Sequence, residues 1–207
     1  MLILGISTSS KYPSAAVADS GSHEKTFFRC EETGLKSHSE VLMGLIEGVL
    51  LDAGVKKTEL EAIAVDVGPG SFTGVRIGVS CANAMAFSLG IPVIPVCSLA
   101  ALCSDVITSS NTSAALIDCR NGNCYAAVYE SGREALAPCA AITKEVLDSL
   151  PDNAVVRGDA VQSDGARAYP DARTVIEAAE KLNIPSTDYA KPMYLRPSQA
   201  ERMKNLQ

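Results

Sequence analysis

Between Val65 and Gly78 the chain reads VDVGPGSFTGVRIG, which sets four glycines, a proline, a serine and a threonine between an apolar run and a helical stretch. Residues 62–67 have the composition of a short buried strand and residues 75–89 that of a helix, so the glycines mark a strand-to-helix junction. A chain that must turn this sharply from strand into helix belongs to an α/β architecture. Exposed amides at such a helix start hold anions, which makes Gly68, Gly70, Ser71 and Thr73 candidate cofactor-binding positions. The competing reading is that Gly68, Gly70 and Gly74 supply positive φ and close packing with no ligand.

The elements on either side repeat one order. Strands are expected over 2–6, 15–18 and 25–30, then a helix over 38–53 opened by Ser37 with Glu40 as its capping-box partner, then the strand over 62–67 and a helix over 74–89. A short strand over 91–96 and a linking helix over 98–107 lead into the second half. There, strands over 114–119 and 124–130 meet at Asn121-Gly122, a type I′ hairpin signal. A turn at Ser131-Gly132, a third short strand near Ala135, a helix over 143–150, a strand over 154–157 and a helix over 172–182 follow. Both halves read β-β-β-α-β-α without obvious identity, which points to two ribonuclease-H-like lobes of the actin-like ATPase type, each a mixed sheet flanked by helices. The expected division is an N-terminal lobe over 1–104, joined by a C-terminal helix over 198–207, and a C-terminal lobe over 105–197.

Several chemistries are poorly supported. A net charge of −6 disfavours a stand-alone nucleic-acid binder. The seven cysteines, Cys30, Cys81, Cys97, Cys103, Cys119, Cys124 and Cys139, are odd in number and form no C-x-x-C pair, as expected of reduced thiols in a cytoplasmic protein. No basic segment precedes the apolar run over 2–6, so secretion is not expected. The 28 positions over 77–104 carry no charge, but Ser80, Asn83, Ser88, Gly90 and Pro92 break them into a buried helix and a strand rather than a membrane span. His23 and His38 fit no metal-binding spacing; His23 reads as a solvated strand-edge residue and His38 as making a capping or partner contact. Ser71 lacks the G-x-S-x-G context of a nucleophile, and Val75 and Arg76 stand where a Walker lysine would follow the last glycine. Asp118 is either a remnant site carboxylate or a hairpin residue that bonds its own turn.

The helix over 38–53 is apolar at Val41, Leu42, Met43, Leu45, Ile46, Val49, Leu50 and Leu51, well over half its circumference and more than a one-sided surface helix needs. Gly44 and Gly48 on this helix, and Gly74, Gly78 and Ala82 on the next, form small-residue stripes that would let two helices approach closely. The surplus apolar surface predicts a partner-binding face made by His38, Leu42, Leu45, Ile46, Val49, Gly74, Arg76, Ile77, Gly78 and Cys81. On this reading Leu45→Asp or Ile46→Asp abolishes docking and leaves a folded monomer.

The strings ILGISTSS over 3–10, HSEVLMGLIEGVL over 38–50, GPGSFTGVRIGVS over 68–80, LGIPVIPVCSLAAL over 89–102, IDCRNGNCYAAVY over 117–129 and PMYLRPSQAE over 192–201 occur in family order. With them the chain resembles the glycoprotease-like family of the actin, Hsp70 and sugar-kinase superfamily, in the branch that serves tRNA threonylcarbamoyladenosine biosynthesis. It departs from the family pattern at Ser7-Thr8-Ser9, where Asp-Thr-Ser is usual, at Asp118-Cys119-Arg120, where Asp-Ala-Arg is common, and at Cys124, where an acidic residue is frequent. The resemblance implies a non-catalytic scaffold that binds and activates the catalytic subunit TsaD, with docking on the two helices above and with the ATPase TsaE joining at the junction. It implies contact with tRNA only through the complex, a homodimer when TsaD is absent, no membrane association and no cofactor required by this chain. ADP or ATP at the junction with the partner is the candidate nucleotide. Lys191, Arg196, Arg202 and Lys204 form a basic tail that is either solvated or in contact with TsaE or tRNA. The alternatives are a glycoprotease-like metallopeptidase, which needs metal ligands, and a nucleotide-dependent sugar-kinase-like enzyme, which needs a carboxylate, metal and phosphate site.

Overall fold

Strand β1 (Leu2–Ser7) is apolar at successive positions because both its faces are covered. It pairs antiparallel with β2 (Ser14–Asp19), which pairs antiparallel with β3 (Thr26–Cys30). On its other side β1 runs parallel to β4 (Ala62–Asp66), and β4 parallel to β5 (Val93–Val96), giving the order β3-β2-β1-β4-β5. These strands belong to a computed structural model that describes residues 1–20, 26–34, 36–109, 111–161 and 168–196.

Alternate side chains of β1 enter two different cores. Leu4 and Ile6 meet Ile46 and Val49 of α1 (His38–Ala53) and Val75 and Val79 of α2 (Phe72–Leu89). Ile3, with Ala16 and Ala64, faces Leu99 of α3 (Ser98–Leu102) and Val175 and Ile176, which lie in the last described helix. The second sheet has the order β8-β7-β6-β9: β6 (Ser113–Asp118), β7 (Asn123–Glu130) and β8 (Arg133–Ile142) are antiparallel, and β9 (Val155–Arg157) is parallel to β6. Helix α4 (Thr143–Ser149) covers one face of it through Val146 against Leu116 and Ala126.

The two lobes and their mixed sheets follow the expected architecture. Asn121 and Gly122 adopt φ of 57° and 72°, and the Asn123 amide donates to the Arg120 carbonyl, as a type I′ turn requires. Three local expectations change. The strand near Ala135 is the ten-residue β8, an edge strand rich in alanine, interrupted by Pro138 and without any buried position, so no alternating apolar pattern marks its extent. The linking helix ends at Leu102, and the chain turns onward with Cys103 and Ile107 still buried. Helix α5 (Ala172–Lys181) follows the second sheet in sequence but packs on β1, β2 and β4 of the first. The helix expected over 198–207, His23, and Arg202 and Lys204 lie outside the described residues.

Candidate functional site

Helix α1 starts at Ser37, whose amide and hydroxyl both donate to the Glu40 carboxylate at 2.6 Å. His38 then turns inward, and its Nε2 donates to the Ser10 carbonyl at 2.7 Å, which fixes the imidazole to the loop after β1. Leu42, Leu45, Ile46 and Val49 lie in the core. This overturns the expectation that they form a docking surface: Ile46 is 1% exposed, and the breadth of the apolar face serves the chain's own sheet and α2. Leu45→Asp or Ile46→Asp would therefore bury a charge inside the protein rather than leave a folded monomer.

The glycine stripes also find other neighbours. A Cβ on Gly74 would lie 2.0 Å from the Thr8 carbonyl oxygen, and one on Gly78 would lie 2.2 Å from Thr8 Oγ1. These glycines admit the loop after β1 against α2, not α1 against α2. Gly48 lies under the Arg29 side chain, which crosses it to pair with Asp52 through Nε and Nη2 at 2.6 and 2.8 Å. Gly44 faces open space.

At the junction the Gly68–Pro69 peptide is cis, and Gly68 has φ 98°. Its loop donors are largely occupied: Gly68 N donates to Asp66 Oδ1 at 3.0 Å, Ser71 N to the Ser9 carbonyl at 2.7 Å, and Gly74 N to Ser71 Oγ at 3.2 Å. Three amides that could cradle a phosphate are thus bonded within the chain, which favours a braced junction. Gly70 and Ser71 line the interlobe cleft, and Thr73 is exposed on the first turn of α2.

Asp66 was invisible to sequence reasoning as a site residue. It is fully buried, and its carboxylate accepts from Ser7, Ser9 and Ser98 hydroxyls as well as from Gly68 N. Burial pushes this carboxyl up from its ordinary value, and the four donors oppose that shift. An aspartate ending an apolar strand was the available signal, but only the fold brings three serines from two distant segments around it.

Three sulfur side chains meet at the seam of α1 and α2, one exposed and two part-buried. Met43 of α1 is 47% exposed, and the Cys81 thiol of α2 lies 3.7 Å from its sulfur and 4.0 Å from that of Met85. Ile77, one turn before Cys81, is half-buried on the same face. Leu51 of α1 and Phe87 of α2 are also exposed, at 79% and 90%. At the start of α2 the Arg76 guanidinium stacks 4.0 Å from the Phe72 ring centroid, and its Nε donates to the Tyr194 hydroxyl at 2.7 Å. The segment carrying Tyr194 runs along α2, since Asn83 exchanges two hydrogen bonds with the backbone of Ala190. Of the expected docking residues, Arg76 is exposed beside Tyr194, Ile77 and Cys81 are part-buried with Cys81 against Met43, and Gly74 and Gly78 are buried.

Between the lobes lies a cleft of about 890 Å³ with Lys11, His38 and Ser71 on one wall and Asp118, Arg120 and Asp159 on the other. Asp118 bonds its own turn, its Oδ1 accepting from Arg120 N at 2.9 Å, and its amide donates to Asp159 Oδ1 at 2.8 Å. Burial pushes the Asp159 carboxyl up, with the neighbouring Asp118 charge adding to it. Among the described residues no group of three or more His, Cys, Asp or Glu side chains converges as a metal site. Among them, too, no helix is long and apolar enough to cross a membrane.

The family model of TsaD, tRNA N6-adenosine threonylcarbamoyltransferase, matches residues 32–188. The chain belongs to the TsaD family. Its relatives include tRNA threonylcarbamoyladenosine biosynthesis protein TsaB of Escherichia coli (strain K12), 31% identical over 132 residues, 63% of this chain and 55% of that protein. TsaB of Bacillus subtilis (strain 168) is 37% identical over 95 residues, 46% of this chain and 42% of that protein. The chain spans about half the length of the curated relatives it matches. The crystal structure of an uncharacterized protein with similarity to peptidase YEAZ from Pseudomonas aeruginosa has a TM-score of 0.75 at 24% identity, over 94% of this chain and 99% of that one. YeaZ from Pseudomonas aeruginosa has a TM-score of 0.73 at 23% identity over the same shares. These two establish the fold of this TsaD-family chain as the one described above.

Proposed function

We propose that this chain is a non-catalytic scaffold subunit in tRNA N6-threonylcarbamoyladenosine biosynthesis, and that it binds and activates a catalytic TsaD subunit. The TsaB relatives support the pathway, and the observation that carries the scaffold role is the partly exposed sulfur cluster of Met43, Cys81 and Met85 at the seam of α1 and α2. Methionine and cysteine side chains are polarizable and adapt to an incoming helix, so such a patch suits a protein interface. Ile77, one turn before Cys81, adds an apolar side chain to it, and Arg76 places a cation at the start of the same helix. On this reading TsaE joins at the junction, ADP or ATP binds there with the partner, and tRNA is reached only through the assembled complex. The same face closes a homodimer when TsaD is absent.

The test is size-exclusion chromatography of this chain with TsaD from the same organism, beside an assay of threonylcarbamoyl transfer to tRNA. Co-elution, transfer only when both subunits are present, and loss of both in Met43→Asp are expected. Separate elution of the two wild-type chains would remove the proposal.

A further inference from the structure

Asp66 gathers four donors, one from its own loop and three from two segments distant in sequence, residues 7–9 and Ser98. Its Oδ2 accepts from Ser7 Oγ at 2.8 Å, at the end of β1, and from Ser9 Oγ at 2.5 Å in the loop that follows. Its Oδ1 accepts from Gly68 N at 3.0 Å and from Ser98 Oγ at the first residue of α3. A carboxylate is the one side chain of this size that accepts from four donors at once; an amide in its place turns a donor toward two of them.

The segment it holds is the bed on which α2 begins. The Ser9 carbonyl accepts from Ser71 N at 2.7 Å, and Thr8 Oγ1 donates to the Gly74 carbonyl at 2.7 Å. The glycine at 74 leaves no gap there, since even a Cβ would overlap the Thr8 carbonyl. Displacement of Ser9 therefore passes to Ser71 and to the first turn of α2 without slack, because packed interiors transmit small shifts. Four residues separate Gly74 from Gly78 and seven separate it from Cys81, so the whole docking side of α2 moves with that turn.

We propose that Asp66 is a positioning residue for the docking face: through Ser9 and Gly68 it fixes the start of α2, and thereby the offset that brings Cys81 against Met43. This rests on the docking reading above. It assigns a role to the one fully buried carboxylate of the glycine junction.

The experiment compares Asp66→Asn with Leu116→Ala, a core change under α4 in the second sheet that lowers stability far from this junction. Two quantities are read in each: affinity for TsaD by calorimetry, and amide hydrogen exchange at Ser71, Val75 and Arg76 in the isolated chain. Asp66→Asn is expected to weaken TsaD about tenfold and to speed exchange at those amides about tenfold, whereas Leu116→Ala leaves both within about twofold at a comparable loss of Tm. Ser9→Ala, which keeps three of the four donors, gives an intermediate effect on both and serves if Asp66→Asn does not fold. Unchanged exchange at α2 in Asp66→Asn or Ser9→Ala overturns the positioning role, as does an equal response to Leu116→Ala. Failure of wild-type chain to bind TsaD overturns the docking reading alone, since the exchange measurement still decides the role of Asp66 at α2.

Discussion

At residue scale the same residue type does opposite work at neighbouring positions. Gly44 and Gly78 both sit inside helices, but a Cβ at 44 meets open space and one at 78 meets Thr8 Oγ1. Gly44→Ala is expected to stabilise the protein by about 0.5–1 kcal/mol through helix propensity. Gly78→Ala should destabilise it by about 1–3 kcal/mol through overpacking, and urea titration of both variants checks the pair of signs. Glu40 gives a pH-dependent counterpart. The Ser37 hydroxyl, aided by the Ser37 amide, holds its carboxyl below the ordinary value of 4.5. A lowered folded value means that the capping contribution is complete above the ordinary value and is lost as pH falls through the folded one. The Tm advantage of wild type over Glu40→Gln is expected to hold at neutral pH and to close as the pH is lowered below 4.5.

At the scale of elements, α1 shows why apolar breadth is a poor guide to an interface. Its buried side chains, Val41, Leu42, Leu45, Ile46 and Val49, span most of the apolar arc and all face the sheet or α2. Met43 on that arc contacts Cys81 while remaining half exposed. Ile46→Asp is accordingly expected to unfold the chain, at a cost of about 3–5 kcal/mol, whereas Met43→Asp keeps the wild-type Tm and loses TsaD. Circular dichroism melts alongside the co-elution assay separate the two outcomes. The bounds of α1 and the end of α2 were legible because Ser37, Gly54 and Gly90 punctuate them by local chemistry, whereas α2 starts at Phe72, capped by Ser71, two residues before the expected 74. The extent of β8 was not legible, because an exposed edge strand is specified by its hydrogen bonds to β7 and not by an apolar pattern.

On the scale of the whole molecule, the halves are not packed as the sequence divides them. Helix α5 lies after the second sheet, yet Val175 and Ile176 complete the core over Ile3, Ala16 and Ala64 of the first. A fragment of residues 1–104 therefore lacks the cover of one sheet face and is expected not to fold. For the same reason Ile176→Ala should lower stability by about 2–5 kcal/mol while calorimetry still shows a single transition. The sequence by itself determined the element order, the hairpin at Asn121-Gly122, the helix caps and the two-lobed α/β class, since these follow from periodicity and from local hydrogen bonding. It also determined that residues 65–78 are a junction. Only the tertiary structure decided which apolar side chains stay exposed, what each glycine admits, and that Asp66 collects three serines from two distant segments. Those properties depend on contacts between residues distant in the chain, which no local pattern encodes.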